Sequence, residues 1–543
     1  MSRLVVSLLL LIFAPSLLAA PVKTDAGLVE GVSQDGLLIY KGIPYAAPPL
    51  GDLRWRDPQP AATWSGVRKA DRFSPTCMQT GSYPPDSPAE PVSEDCLYLN
   101  VWRPAVPADT KLPVMVWIYG GGLENGSAST PLYAGDVLAR QGVIVVTFNY
   151  RLGVFGFLAL PQLTAESPHK SSGDYGLLDQ IAALRWVQKN IAAFGGDPNR
   201  VTVFGQSSGS ISISALTASP LAKGLFQRAI GESGALFEPL ELAPELQLPG
   251  AEQQGWEFMA RAGAASLAAL RAEPAVQLLQ TSFGPGLILD GYALPRTPHD
   301  VYSQRGQITV PLLMGFDAVE GRIFTAPHHI TRAGYAQSLG GDFPPLLVLL
   351  AAPDPGSSDA SAEAAAAAFE TDMRFRWDMW AWARLAAEGG APVYFYEFDR
   401  ESPFKPGSPY AGLGATHGTE MPYVFGHLDP AAASWTDADR RFSDEVIAYW
   451  TNFAKSGDPN GPGLPAWPRY SDSDPRLLLL GSAVTAGTMQ DMGTLKKLDV
   501  IYPSARFVLH HPAIAVAGVL VLLILLGYAL WRGIRRWLRP RRP

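Results

Sequence analysis

Apolar residues along this chain gather in short dense runs, separated by stretches rich in Gly and Pro. Runs at 114–118, 143–148, 201–204, 310–314 and 393–398 are apolar and β-branched with little alternation. Such runs predict strands buried on both faces. Between two of them, Leu177, Ile181, Leu184, Val187 and Ile191 recur every three to four residues, so they share one face of a helix. Alternation of strand and helix predicts an α/β fold with a mostly parallel central sheet flanked by helices. The alanine run 364–368 predicts a surface helix capped near Ser361. Patterning is weak over 482–512, which predicts a connector.

The two ends depart from this pattern. Residues 4–18 form an apolar run after a basic Arg3 and before Ala19 and Ala20, which predicts a secretory signal peptide over 1–20. The stretch 513–531 carries no charge and ends in Trp531. Its length suits a helix crossing a bilayer core of ~30 Å. Six Arg follow, at 532, 535, 536, 539, 541 and 542. Positive residues stay on the cytoplasmic side, which predicts a tail at 532–543 inside and a domain at 21–481 outside. In a bacterial host that places the domain on the periplasmic face of the inner membrane.

Composition narrows the partners. The formal net charge is −7, and with the Arg residues of the two terminal segments set aside the remainder is roughly −14. That region would repel nucleic acid or an anionic surface. Cys77 and Cys96 are the only cysteines, and export would permit a disulfide. No Cys/His spacing suggests a metal site, and no cofactor is expected.

The candidate chemistry centres on Gly205-Gln206-Ser207-Ser208-Gly209, which directly follows the strand at 201–204. A G-x-S-x-G segment on a strand-to-helix turn exposes the Ser oxygen above the sheet and beside backbone N–H groups of a helix start. The strand at 114–118 runs into Tyr119-Gly120-Gly121-Gly122. Consecutive glycines let N–H groups converge on one point, so Gly121, Gly122 and Ser208 are the candidate oxyanion donors. A neutral Ser needs a base, and the base needs a carboxylate. After Ser207 the candidates are His299, His328, His329, His417 and His427, with Asp317 or Glu320 as the acid. Spacing alone leaves these open.

Several long segments resemble the type-B carboxylesterase family, the cholinesterase-like branch of the α/β hydrolases. They are GIPYAAPPLGDLRW at 42–55, SEDCLYLNVW at 93–102, FGGDPNRVTVFGQSSG at 194–209, GFDAVEGRIF at 315–324, THGTEMPYVFG at 416–426 and WTNFAKSGDPN at 450–460. The resemblance runs from about 28 to 480. It implies a Ser207–His417–Glu320 triad acting on esters through an acyl-enzyme. It also implies a Cys77–Cys96 disulfide, an Arg54–Glu94 salt bridge, and Ser233 and Glu420 behind the triad.

Departures from the family pattern bear on substrate. The loop between Cys77 and Cys96 lacks the Trp that binds cations in cholinesterases, and Gln206 stands where the family usually has Glu. Both argue against choline esters. Asn125-Gly126-Ser127 is a glycosylation sequon inside the oxyanion loop, where a glycan is not expected. The expected activity is a carboxylic ester hydrolase; an amidase or carbamate hydrolase with the same triad, or a non-catalytic adhesion relative, are the alternatives.

Overall fold

The structure, a computed structural model, describes residues 17–84, 90–514, 523 and 525–532. Its frame is one twelve-stranded sheet. In chain order the strands are β1 (Leu17–Leu18), β2 (Val32–Gln34), β3 (Leu37–Pro44), β4 (Tyr98–Pro104), β5 (Leu112–Ile118), β6 (Ile144–Phe148), β7 (Gly196–Gln206), β8 (Arg228–Glu232), β9 (Leu312–Asp317), β10 (Val393–Phe398), β11 (Arg476–Leu480) and β12 (Val484–Thr488). Their spatial order is β1-β2-β3-β4-β6-β5-β7-β8-β9-β10-β11-β12.

The middle of the sheet, from β6 to β11, is parallel. These strands bear out the predicted runs: β5 and β6 are buried at every position because helices cover both faces. Helix α1 (Tyr175–Asn190) buries Leu177, Ile181, Leu184 and Val187, as their spacing predicts. Helix α2 (Ser208–Ala218) follows β7 directly. Antiparallel strands extend both edges. At one edge Asp35-Gly36, both at positive φ, close the β2–β3 hairpin.

Three expectations change. The segment 482–512 is not a bare connector. It supplies β12, paired along β11, and then helix Gly493–His510, whose Leu495, Leu498, Tyr502 and Arg506 are buried against the domain. Its weak patterning reflects an edge strand and a helix with one buried face. The alanine run lies in helix Asp359–Thr371, capped by Ser358 rather than Ser361. Ser361 is the reciprocal partner of that cap, and the run is half-buried, not a surface face.

The predicted leader, 1–20, falls mostly outside the described residues, but its last residues pack on the domain. Leu17 and Leu18 pair with Val32 and Ser33, and Ala19 is buried. Much of the predicted span 513–531, and the tail 533–543, also lie outside the described residues. Among the described residues no helix is long and apolar enough to cross a membrane.

Candidate active site

Five strand ends converge on Ser207. β7 delivers it, and its backbone sits at φ 57°, ψ −128°, a left-handed conformation that a side-chain-bearing residue holds only under constraint. That constraint is close packing. A Cβ on Gly209 would lie 2.0 Å from the Ile118 carbonyl oxygen at the end of β5, so the turn closes only with glycine there. The Ser207 N–H donates to the Glu232 carbonyl at the end of β8, at 2.8 Å.

His417 lies on the segment between β10 and β11 and is 6 % exposed. Its Nε2 is 2.8 Å from Ser207 Oγ and its Nδ1 is 2.6 Å from Glu320 Oε2. Glu320 is fully buried, just past β9, and its Oε1 accepts the Asp317 N–H at 2.8 Å. Of the two candidate acids, Glu320 is the one that faces the imidazole. Asp317 does not face the imidazole; its Oδ2 accepts the N–H groups of Gly418 and Thr419, at 2.9 and 3.3 Å, and so ties down the loop that carries His417.

The glycine loop after β5 approaches from the other side. Gly121 and Gly122 sit at φ 103° and 67°. A Cβ on Gly120 would meet the Gln206 carbonyl oxygen at 2.6 Å and Ser207 Cβ at 2.9 Å, which explains how closely loop and nucleophile pack. Ser208 adds a link of its own, since its Oγ accepts the Leu123 N–H at 3.2 Å. Among the described residues, no protein acceptor takes the backbone N–H of Gly121, Gly122 or Ser208. The sequon residue Asn125 is engaged: its Oδ1 accepts the Gly81 N–H at 2.9 Å.

Glu420 and Ser233 lie behind the site. Both are buried, and Ser233 is itself at φ 53°. Among the described residues Ser233 Oγ has no hydrogen-bond partner. The Glu420 carboxyl interacts with that of Asp317, and burial pushes Glu420 up to about 7 and Asp317 well above the usual range. Asp317 Oδ1 and both Glu420 oxygens receive no donor from other groups, which a proton shared between the two carboxyls satisfies. Glu232, also raised by burial, accepts from Trp450 Nε1 at 2.6 Å.

The supporting pairs fall where the resemblance implied. Cys77 and Cys96 form a disulfide. Arg54 and Glu94 make a two-pronged salt bridge, 2.6 Å at each prong, and Arg54 Nη1 also donates to the carbonyls of Arg271 and Glu273.

Other neighbours of His417 were not foreseen. Gln206 Nε2 lies 3.3 Å from His417 Nε2, and Gln206 Oε1 accepts from the Tyr83 hydroxyl at 2.7 Å. Tyr83 comes from the Cys77–Cys96 loop, so an aromatic side chain does enter from there, with its hydroxyl tied to Gln206. Phe375 stacks on the imidazole at 4.4 Å between centroids, and Phe324 lies 5.7 Å away. Beside Gly418 opens a cavity of about 660 Å³ whose walls include Leu132, Phe404, Tyr410, Met421 and Trp435.

Comparison with known proteins agrees with this architecture. The profile described as "Carboxylesterase family" matches residues 19–338 and 348–499. Fumonisin B1 esterase of Sphingopyxis macrogoltabida is 40 % identical over 479 residues, covering 86 % of this chain and 87 % of that one. Para-nitrobenzyl esterase of Bacillus subtilis (strain 168) is 38 % identical over 505 residues, covering 89 % and 98 %. A solved structure of PNB esterase superposes with a TM-score of 0.76 at 36 % identity, over 88 % of this chain and 99 % of that one, which makes this an α/β-hydrolase fold. The chain therefore belongs to the carboxylesterase family and is a carboxylic ester hydrolase.

Proposed function

We propose that the protein hydrolyses carboxylic esters through an acyl-enzyme on Ser207. The observation that carries this is His417, with one ring nitrogen on Ser207 Oγ and the other on Glu320. His417 Nε2 takes the hydroxyl proton as Oγ attacks the ester carbonyl carbon. The carbonyl oxygen becomes an oxyanion and is stabilised by the N–H groups of Gly121, Gly122 and Ser208. Glu320 keeps the proton of the neutral ring on Nδ1 and stabilises the imidazolium. The imidazolium then protonates the departing alkoxide, which leaves as alcohol. A water, deprotonated by His417, attacks the acyl-enzyme and releases the acid.

Apolar and aromatic surroundings suit a hydrophobic ester: Phe324 and Phe375 flank the imidazole, and the cavity beside Gly418 is lined mostly by carbon. The neutral Gln206 and its Tyr83 partner offer no charge for a cationic alcohol. We further propose that residues 513–531 anchor the chain in a membrane with the domain outside, on the grounds of length, lack of charge and the arginines that follow.

The test is Ser207→Ala. It abolishes hydrolysis of p-nitrophenyl esters while leaving the thermal melting curve in place. Activity retained in that variant overturns the assignment.

A further inference from the structure

One surface of the domain is apolar where a soluble protein has no use for it. Helix α3, Pro345–Ala351, has the sequence PLLVLLA, without a polar side chain. Val348 and Ala351 point into the core. Leu346, Leu349 and Leu350, spaced for one helical face, point out and are 67, 79 and 49 % exposed. Scattered exposed leucines are ordinary; three on two turns of one helix, with no polar residue between them, are not. A helix apolar on every side calls for an apolar medium around it. The family profile does not match 339–347, the approach to α3 and its start.

The surface continues onto the C-terminal helix, labelled α4 here, Gly493–His510. Lys497 Nζ donates to the Ala351 carbonyl at 3.3 Å, joining the two helices. From Lys497 the outward stripe of α4 runs through Val500, 68 % exposed, to Phe507 and Val508, each about half exposed. The polar positions of this side are Lys496 and Lys497 at its start and Ser504, whose hydroxyl donates to the Val500 carbonyl at 2.7 Å, while Arg384 holds Asp499 in a two-pronged pair. α4 ends at His510 with His511 as its cap, and Pro512 opens the next helical residues. The apolar stretch 513–531 starts at the next residue, and its described members Ile514, Leu523, Leu525, Leu526 and Leu530 all stand exposed.

We propose that the outward faces of α3 and α4 lie in the surface layer of the lipid bilayer, so that the catalytic domain rests on the membrane and does not hang from a flexible stalk. The inference rests on the reading of 513–531 as an anchor. The occupant is lipid because the same face leads, through one proline, into the uncharged apolar stretch 513–531. Attraction to lipid charge plays no part, since the domain is net acidic; insertion of leucine, valine and phenylalanine drives the contact. The docked face is also continuous with the site. Phe343, one residue from α3, and Phe324, beside His417, share the Arg374 guanidinium, which lies 5.1 and 5.5 Å from the two rings. The start of the docked face thus lies within two ring contacts of His417, across Arg374, which is also paired with Glu370.

The test uses the full chain in phosphatidylcholine vesicles. Both native cysteines are in the disulfide, so a fluorophore on Leu349→Cys, or on Val276→Cys as an exposed control elsewhere, labels one position. The label at 349 is expected to shift to the blue and to be quenched at least about twofold by lipids spin-labelled near the headgroup, while the label at 276 is not. Protein that floats with the vesicles but leaves residue 349 in water overturns the proposal and spares the anchor; protein that does not float overturns both. A label shielded without lipid quenching and crosslinked chain to chain assigns the face to a second copy, again overturning the proposal. In a second arm, the triple variant L346S/L349S/L350S keeps its rate on soluble p-nitrophenyl acetate but loses at least about threefold on a long-chain p-nitrophenyl ester dissolved in the vesicles. Equal loss, or no loss, on both substrates refutes access from the bilayer.

Discussion

Glu320→Gln tests the site at its least ambiguous contact. Gln matches Glu in shape, so packing around this fully buried side chain is unchanged. Its donors and acceptors are not. Glu320 Oε1 accepts the Asp317 N–H at 2.8 Å, and Oε2 faces His417 Nδ1 at 2.6 Å. A glutamine amide has one oxygen for these two positions. With the oxygen turned to His417, its NH2 confronts the Asp317 N–H, leaving two buried donors without acceptors at about 1–3 kcal/mol each. With the oxygen kept on Asp317, its NH2 faces Nδ1, and the ring must present a lone pair there. The proton then sits on Nε2, 2.8 Å from Ser207 Oγ, where a base is needed. The second arrangement gives up only the longer Gln206 Nε2–His417 Nε2 contact, 3.3 Å, and is the one expected. It removes general-base catalysis, a loss of about 10³–10⁴ in kcat, or about 4–5 kcal/mol in barrier height. The assay is the steady-state rate on a p-nitrophenyl ester, with a melting curve as a folding control. A kcat within tenfold of the native enzyme would falsify the assignment of Glu320 as the orienting acid.

Glu420→Gln reads the Asp317–Glu420 pair. Burial raises the folded carboxyls above their unfolded values, so the folded protein holds the extra proton; its stability is greatest on the acid side and falls as pH rises through about 7. The variant should lose that slope and gain on the order of 3 kcal/mol over the native chain above neutral pH, read by urea denaturation across pH; parallel profiles would show that the pair does not titrate. Gly209→Ala places a Cβ 2.0 Å from the Ile118 carbonyl oxygen, a backbone atom that cannot swing away, and should destabilise by about 3 kcal/mol in a thermal melt; an unshifted Tm contradicts the packing. Reducing Cys77–Cys96, a link over 19 residues, should lower stability by about 3 kcal/mol in denaturant, and identical midpoints with and without reductant would count against it.

What was legible in the sequence follows physical locality. The nucleophile is a local event: a buried strand, a turn that requires glycine, and a helix start all lie within 201–218, so the pattern around Ser207 identifies it. The orienting acid is not local. Asp317 and Glu320 follow the same strand three residues apart, and only the path of the backbone around His417 decides which carboxyl faces the ring. Family resemblance supplied that choice. Resemblance also named Glu420, but not its neighbour Asp317, which accepts the N–H groups beside His417. The segment 482–512 was misread because β12 is an edge strand of small and polar residues, Val484 to Thr488, with only intermittent burial. Helix 493–510 carries Lys496, Lys497, Asp499 and Pro503 among its apolar residues, which blurs its period. Tyr83 carries no local signal of its role: its hydroxyl meets Gln206, 123 positions away in sequence.

The Tyr83–Gln206 pair clarifies how charge is arranged around His417. A glutamine amide can face either way, but the Tyr83 hydroxyl donates to Oε1 and so directs Nε2 toward His417. An amide N–H next to imidazole Nε2 favours a lone pair on that nitrogen and disfavours a proton there. It therefore favours the tautomer with its proton on Nδ1, the form that can accept from Ser207. A carboxylate at position 206 would act in the opposite sense, drawing a proton to Nε2 and adding a charge beside the substrate. On the Nδ1 side the ring faces the Glu320 carboxyl. The Nε2 side, where an attacked ester would sit, is lined by an amide, backbone N–H groups and aromatic faces. That division of charge is consistent with a neutral, apolar ester and gives a cationic one no electrostatic advantage.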